Sequence, residues 1–265
     1  MNVSDKEQIT FSFGENWKDY LEKSDEVSYT SAFNDINEWL GKENISGKRV
    51  LDIGCGSGIH SAVYHQLGAG ELVSLDYDKN SVEATTTFWK RAGSPSNWKV
   101  LHGSVLDAEF IKSLGTFDIV YSWGVLHHTG DMLNAIANCM ATVKQGGLCW
   151  ISLYVKGPNY ERDLKRKKDY NKASTPIKKW MEFKYFIYPL MRDRLRHSKN
   201  PFAWNERKER GMYVYYDIVD WLGGLPYEVA SQEEIESLIT KNNFTLKKIK
   251  LYPEGSCHIY LFQKN

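Results

Sequence analysis

Cysteine is scarce in this chain of 265 residues: Cys55, Cys139, Cys149 and Cys257 are scattered singly, with no C-x-x-C pair and no His/Cys cluster at ligand spacing. Those absences exclude a disulfide framework and a structural zinc site, and no metal is expected. The first residues, Met1-Asn2-Val3-Ser4-Asp5-Lys6-Glu7, lack the charged-then-apolar pattern of a signal peptide, and no window approaches 18 consecutive apolar residues. Both absences lead to the expectation of a cytoplasmic chain without a membrane span. Internal repeats and low-complexity tracts are also missing. Net charge is nearly absent, with 34 basic against 33 acidic side chains. The average conceals a division, because Lys156 to Arg210 holds 17 Lys+Arg and 7 Asp+Glu, or +10, and the remainder of the chain is correspondingly acidic.

What is present is enough apolar residue, 42 % of the chain, to build a large core without covalent staples. Apolar, β-branched runs recur at Arg49–Ile53, Glu71–Asp76, Trp98–His102, Phe117–Ser122 and Leu148–Tyr154, separated by stretches of helical patterning. That alternation predicts βαβ units and a parallel sheet. Lys156 to Val229, rich in Tyr, Trp and Phe and punctuated by Pro158, Pro176, Pro189 and Pro201, reads as a mostly helical insertion. Ser231 followed by Glu233 and Glu234 reads as a helix N-cap with an acidic first turn. Phe244–Leu251 and His258–Phe262 then read as a terminal antiparallel pair.

The most informative segment is Val50-Leu51-Asp52-Ile53-Gly54-Cys55-Gly56-Ser57-Gly58, a buried strand running into three alternate glycines and then a helix. Glycines there permit a sharp turn and leave room for a ligand beside the backbone. About twenty residues on, Leu72–Asp76 is a second strand ending in an acid placed for ribose hydroxyls. A nicotinamide-dinucleotide fingerprint fails, since Ile59 stands where its third glycine belongs. The pattern D-x-G-x-G-x-G resembles motif I of class I S-adenosylmethionine-dependent methyltransferases. Leu101-His102-Gly103-Ser104-Val105 is similar to their adenine-side loop, Phe117–Ser122 to their fourth strand, and Gly146-Gly147-Leu148 to the turn before their fifth.

The resemblance implies an α/β, Rossmann-like, seven-stranded methyltransferase sheet with helices on both faces and a helical insertion after strand five. It divides the chain into an N-terminal helical lid (1–43), a cofactor-binding core (44–155), a basic aromatic substrate cap (156–229) and a closing helix and strand pair (230–265). S-adenosylmethionine is the implied cofactor, with Asp52, Gly54, Cys55, Gly56, Gly58, Asp76, Tyr77, Ser104, Val105 and Ser122 as its contacts. Ser104 departs from the family, where many relatives have Asp. Phe11 to Tyr20 concentrates aromatics and is read as a lid that brings Trp17 to the cofactor or as a plain packing helix.

The segment after strand four, Ser122-Trp123-Gly124-Val125-Leu126-His127-His128, is similar to a Leu-His-His or Leu-Glu-His element of ubiquinone- and menaquinone-type methyltransferases. His127 and His128 are therefore candidate general bases, against the alternative that they order the loop. The basic insertion would attract an anion, and Arg suits phosphate or carboxylate. Tyr154, Lys156, Arg207, Arg210, Tyr216 and Tyr227 are the candidate contacts to a small anionic acceptor, phosphorylated, nucleotide-linked or carboxylated. Arg210 to Glu228 is similar to a segment of bacterial capsule and glycan methyltransferases, which implies O-methylation of an activated precursor. An RNA acceptor, stacked on Tyr160, Tyr170, Trp180, Tyr185 and Tyr188, is the alternative. Nucleic acid is disfavoured because the chain lacks Asn-Pro-Pro-Tyr and Pro-Cys or Thr-Cys elements. A cofactor-binding partner protein without turnover is a further alternative.

Overall fold

The computed structural model describes residues 26–206, 213–253 and 256–265. Helix α1 (Glu26–Trp39) precedes five alternating strands and helices: β1 (Arg49–Ile53), α2 (Ile59–Gln66), β2 (Glu71–Asp76), α3 (Lys79–Arg91), β3 (Trp98–His102), α4 (Ala108–Ser113), β4 (Phe117–Trp123), α5 (Met132–Ala141) and β5 (Val143–Tyr154). Then come α6 (Tyr160–Lys172), α7 (Thr175–Glu182), a π-helical turn at Phe183–Ile187, α8 (Tyr188–Arg196) and α9 (Val214–Gly223). Helix α10 (Gln232–Lys241), β6 (Phe244–Lys250) and β7 (Cys257–Lys264) close the chain.

The seven strands form one Rossmann-like sheet in the order β3-β2-β1-β4-β5-β7-β6. The first five pair in parallel, and β7 runs antiparallel between β5 and β6. Successive strand side chains point to opposite faces. Leu51 and Ile53 therefore join the core under α4, α5 and α10 with Val120, Ile136 and Phe262. Val50 joins the opposite core with Ile36 of α1, Val63 and Tyr64 of α2, Ile119 and Trp150. Near-continuous apolar runs are what a sheet covered on both faces requires. Strand order reverses between β1 and β4, and the crevice outside the carboxyl ends of these strands is where such sheets bind ligands.

Local signals fix the helix starts. Asp78, Asp107 and Asp131 accept from amides of the first turns of α3, α4 and α5. Ser231 and Glu234 form a reciprocal capping box on α10. The expected turn at Gly146-Gly147 instead lies inside β5, which begins at Val143 and shifts register against β4 between Phe117 and Ile119. A Cβ on Gly147 would stand 2.8 Å from the carbonyl oxygen of Lys144, so this pair absorbs an irregularity within the strand. Of the segment read as a lid, α1 packs on the core: Trp39 stacks on Trp150 with centroids 5.6 Å apart, and the Tyr29 hydroxyl donates to Gln66 Oε1 at 2.6 Å. Phe11 to Tyr20, including Trp17, lies outside the described residues.

Candidate active site

After β1 the chain turns through Gly54, Gly56 and Gly58 at φ of 76°, 53° and 83°. Side chains strain this left-handed region, which explains the glycine at each alternate position. A Cβ on Gly54 would lie 2.2 Å from Cγ2 of Val125, so the loop after β4 closes directly on the turn. A Cβ on Gly58 would lie 2.7 Å from Cα of Thr85, which makes Gly58 a requirement for packing α2 against α3. Asp76 ends β2 with Oδ2 accepting from the Gly56 amide and Oδ1 from the Asp78 amide, each at 2.9 Å. Burial raises its carboxyl to about 6 despite these donors. Tyr77 beside it is 70 % exposed, and its carbonyl accepts from His102 Nε2 at 2.9 Å. Ser104 Oγ accepts from the Leu106 amide at 3.1 Å, and the Val105 carbonyl accepts from Asn138 Nδ2 at 2.9 Å, so both side-chain bonds shape the loop after β3.

Asp52 is buried beneath the turn, at the end of a chain of hydrogen bonds. Trp98 Nε1 donates to Ser74 Oγ at 2.8 Å, the Ser74 and Ser61 hydroxyls are 2.7 Å apart, and Ser61 Oγ donates to Asp52 Oδ2 at 2.6 Å. Cys55 Sγ accepts from Thr85 Oγ1 at 3.2 Å. Burial first, and then the Asp76 and Asp52 carboxylates, push its thiol well up, so it is a neutral packing group. Ser122, expected at the cofactor, is fully buried and donates to the Ile53 carbonyl at 2.9 Å. It ties the carboxyl ends of β4 and β1 because its hydroxyl points along the sheet rather than out of it.

The candidate bases sit in a 3-10 turn, Leu126–His128. His127 is buried, with Nδ1 accepting from the Tyr154 amide at 3.3 Å, and His128 Nδ1 donates to the Pro226 carbonyl at 2.6 Å. Burial lowers His127 well below the usual imidazole range and lowers His128 to about 3, with the positive charge of Lys167 adding to both shifts. Each ring is tied to backbone through Nδ1, and rings this weakly basic are poorly matched to proton abstraction at neutral pH. The same loop is strapped from the far end of the cap. The Glu228 amide donates to the His127 carbonyl at 3.0 Å, and the Glu228 carboxylate accepts from the amides of Gly130 at 2.8 Å and Met132 at 3.1 Å.

Among the candidate acceptor contacts, the Tyr154 and Tyr227 rings come together at 5.1 Å. Lys156 is exposed, and its amide donates to the Ala230 carbonyl at 3.1 Å. Tyr216 is separate, packed in the cluster that contains Tyr121 and Trp123 of β4. It also lines a cavity of about 520 Å³ with Tyr170, Lys178, Lys179, Glu182 and Tyr213. Arg207 and Arg210 lie outside the described residues. One basic residue of the insertion is no surface charge at all: Lys167 is fully buried. Its Nζ lies 4.3 Å from the Trp221 ring centroid and 4.6 Å from that of Tyr227, and it donates to the Trp221 carbonyl. Burial lowers it to about 7.

Residues 50–147 match a family model described as a methyltransferase domain. Residues 50–147 of this chain are thus similar to S-adenosylmethionine-dependent methyltransferase domains. The ubiquinone biosynthesis O-methyltransferase of Rhizobium rhizogenes is 32 % identical over 109 residues, which is 41 % of this chain and 42 % of that protein. That of Psychrobacter arcticus is 27 % identical over 143 residues, 54 % of this chain and 52 % of that protein. The match thus spans about half or less of the length of these curated relatives. Among solved structures, PKMT2 from Rickettsia typhi in complex with AdoHcy has a TM-score of 0.60 at 16 % identity, covering 90 % of this chain and 54 % of that one. Magnesium protoporphyrin IX methyltransferase from Synechocystis with bound SAH gives 0.54 at 13 % identity, covering 90 % and 84 %. At these identities the structures establish the shared fold.

The methyltransferase domain has groups that suit S-adenosylmethionine. The donors to Asp76 are the backbone amides of Gly56, Tyr77 and Asp78, and among the described residues no cation is paired with it. Its negative charge therefore remains to accept from ribose hydroxyls, with the exposed Tyr77 ring alongside. Sequence reasoning missed Ser61, Ser74 and Trp98, although a serine in the otherwise apolar run Leu72–Leu75 was a signal. It also missed Val125, Glu228 and Lys167, whose roles arise from segments remote in sequence.

Proposed function

We propose that the protein uses this domain to transfer the methyl group of S-adenosylmethionine to an oxygen of a small anionic acceptor, with residues 156–229 as the acceptor cap. The cofactor supplies an electrophilic sulfonium methyl when bound, and this chain's residues orient it and position the acceptor. The observation that carries the acceptor class is the setting of the histidine pair. Both rings are buried, backbone-tethered and weakly basic, beside an insertion of net charge +10. A phosphate-type or carboxylate oxygen is already anionic at neutral pH and attacks without a base, whereas a hydroxyl must lose a proton.

The activity for which these relatives are named, ubiquinone biosynthesis O-methyltransferase, supports transfer to oxygen of a small molecule. The resemblance of Arg210 to Glu228 to capsule and glycan methyltransferases supports a sugar-linked or phosphorylated precursor. Part of that segment, Pro226 and Glu228, serves as the strap on the His127-His128 loop. Two of the five stacking residues of the RNA alternative are engaged within the cap, although Trp180 and Tyr188 are exposed. Tyr170 is buried with its hydroxyl donating to Glu182, and Tyr160 stacks on Tyr227 at 5.6 Å. Methyl transfer from labelled S-adenosylmethionine to panels of carboxylated, phosphorylated and neutral hydroxyl compounds tests the reading. An anionic acceptor should show a rate that stays level from about pH 6.5 to 8, and His128→Asn should leave turnover within about threefold of wild type. Transfer confined to neutral hydroxyl compounds, with a loss of about 10² or more on removing either histidine, would overturn it.

A further inference from the structure

Of the eleven large apolar side chains exposed among the described residues, six fall within one run of 26 residues: Ile177, Trp180, Phe183, Tyr188, Leu195 and Phe202. Helix α7, the π-helical turn and α8 follow one another without a break in helical backbone, so this run presents them along one rod and its exit. Trp180, Lys184, Tyr188 and Arg192 recur every four residues, the spacing of one helix face. Contacts show the patch to be continuous: Lys184 Nζ stands 4.5 Å from the Trp180 ring centroid, and the Phe183 and Tyr188 rings are 6.1 Å apart. Trp180 is 54 % exposed, Tyr188 52 % and Leu195 60 %.

The charge of the same run distinguishes its occupants. Thr175 to Lys199 carries seven basic and two acidic side chains, a net +5. A second copy of this face would meet like charge, which disfavours a symmetric pairing through it. An RNA strand would use the cations and stack on the rings, but it has no use for exposed Ile177 and Leu195. A lipid surface uses all three kinds of group: cations for anionic headgroups, Trp and Tyr at the interface, aliphatic tips among the acyl chains.

We propose that the outer face of α7 and α8 docks the protein peripherally on an anionic lipid bilayer. Charge orients the molecule, because the basic cap is attracted while the acidic remainder is repelled. Thr175, Lys178 and Lys179 of α7 also line the cap cavity that Tyr216 borders. The docking itself stands on the exposed chemistry of the cap and is independent of the acceptor class.

Flotation of the full chain with vesicles of phosphatidylcholine alone, and of phosphatidylcholine mixed equally with phosphatidylglycerol, tests this. Binding is expected on the mixed vesicles at low salt, weakening as salt rises. Lys184→Glu with Arg192→Glu should weaken it by more than about fivefold, roughly the effect of one interfacial basic residue. Trp180→Ser with Tyr188→Ser should weaken it several-fold while leaving S-adenosylhomocysteine affinity unchanged. Absence of binding to the mixed vesicles overturns the proposal, as does binding that survives both variant pairs. So does tight binding to a single-stranded RNA that the same variants abolish while vesicle binding persists.

Discussion

The cofactor end of the sheet and the cap solve the same problem, the buried charge, by different means. At the ends of β1 and β2 the charges are carboxylates, answered by neighbouring backbone amides for Asp76 and by a serine hydroxyl for Asp52. In the cap they are Lys167 and Glu182, answered largely by groups remote in sequence: the Trp221 carbonyl and the rings of Trp221 and Tyr227 for the lysine, and the Tyr170 and Tyr215 hydroxyls with the neighbouring Lys179 for the glutamate. A site built on backbone geometry is fixed by a short stretch of chain and leaves a motif. A site built from distant side chains leaves only composition.

The strongest test of that contrast is Gly54→Ala. A Cβ 2.2 Å from Val125 on a residue at φ 76° should lower stability by about 2–4 kcal/mol and cofactor affinity by about 10². Thermal melts and calorimetry with S-adenosylhomocysteine measure both, and near-wild-type values would show that the turn is not set by its backbone. Asp76→Ala comes next, with affinity falling about tenfold or more from loss of a charged acceptor. Because its carboxyl sits at about 6, wild-type affinity should drop as pH falls through that value, and Asp76→Asn should remove the step. Calorimetry from pH 5 to 8 that finds no such step would take Asp76 out of the ribose contact.

Lys167→Met addresses the cap. The folded value of about 7 lies below the usual lysine range, so burying the charge destabilises the fold fully below about pH 7 and progressively less as pH rises toward 10. The methionine variant should therefore melt higher than wild type at pH 6, and this advantage should shrink by pH 9. A variant that melts lower at both values would mean that the rings hold the cation better than they hold an apolar chain. The smallest effect is expected at Ser61→Ala, about 1–2 kcal/mol from one buried hydrogen bond to a carboxylate. Lys165→Ala, removing an exposed pair with Asp169, serves as the null control, with an unchanged melting temperature.

Much of the fold was legible because its strands are local objects. The runs read as β1, β2 and β3 have the same limits in the structure, and Ser231 with the acids after it caps α10 as patterning implied. The extension of β5 back to Val143 was not, since Gly146-Gly147 reads as a turn unless the partner strand is known to shift register there. At the site, Gly54, Gly56 and Asp76 stand together as their spacing implied. Ser122 is buried with its hydroxyl on the Ile53 carbonyl, a direction that adjacency to the crevice does not reveal. Patterning gave His127 and His128 a choice of roles, and the structure adds that each ring is tied to backbone through Nδ1.

By itself the sequence determined the strand and helix order, the glycine turn with its acid one strand later, and the uneven division of charge. These follow from backbone sterics and hydrophobic periodicity, which act over a few residues. Only the tertiary structure decided that Lys167 is a core residue and that Glu228, about a hundred residues away, caps α5 and straps the histidine loop. It also decided that Trp180, Tyr188 and Leu195 face outward while Tyr170 faces inward. Burial and partner choice depend on which distant segments meet, and a helix with apolar, aromatic and basic residues on several faces does not declare which face it will bury.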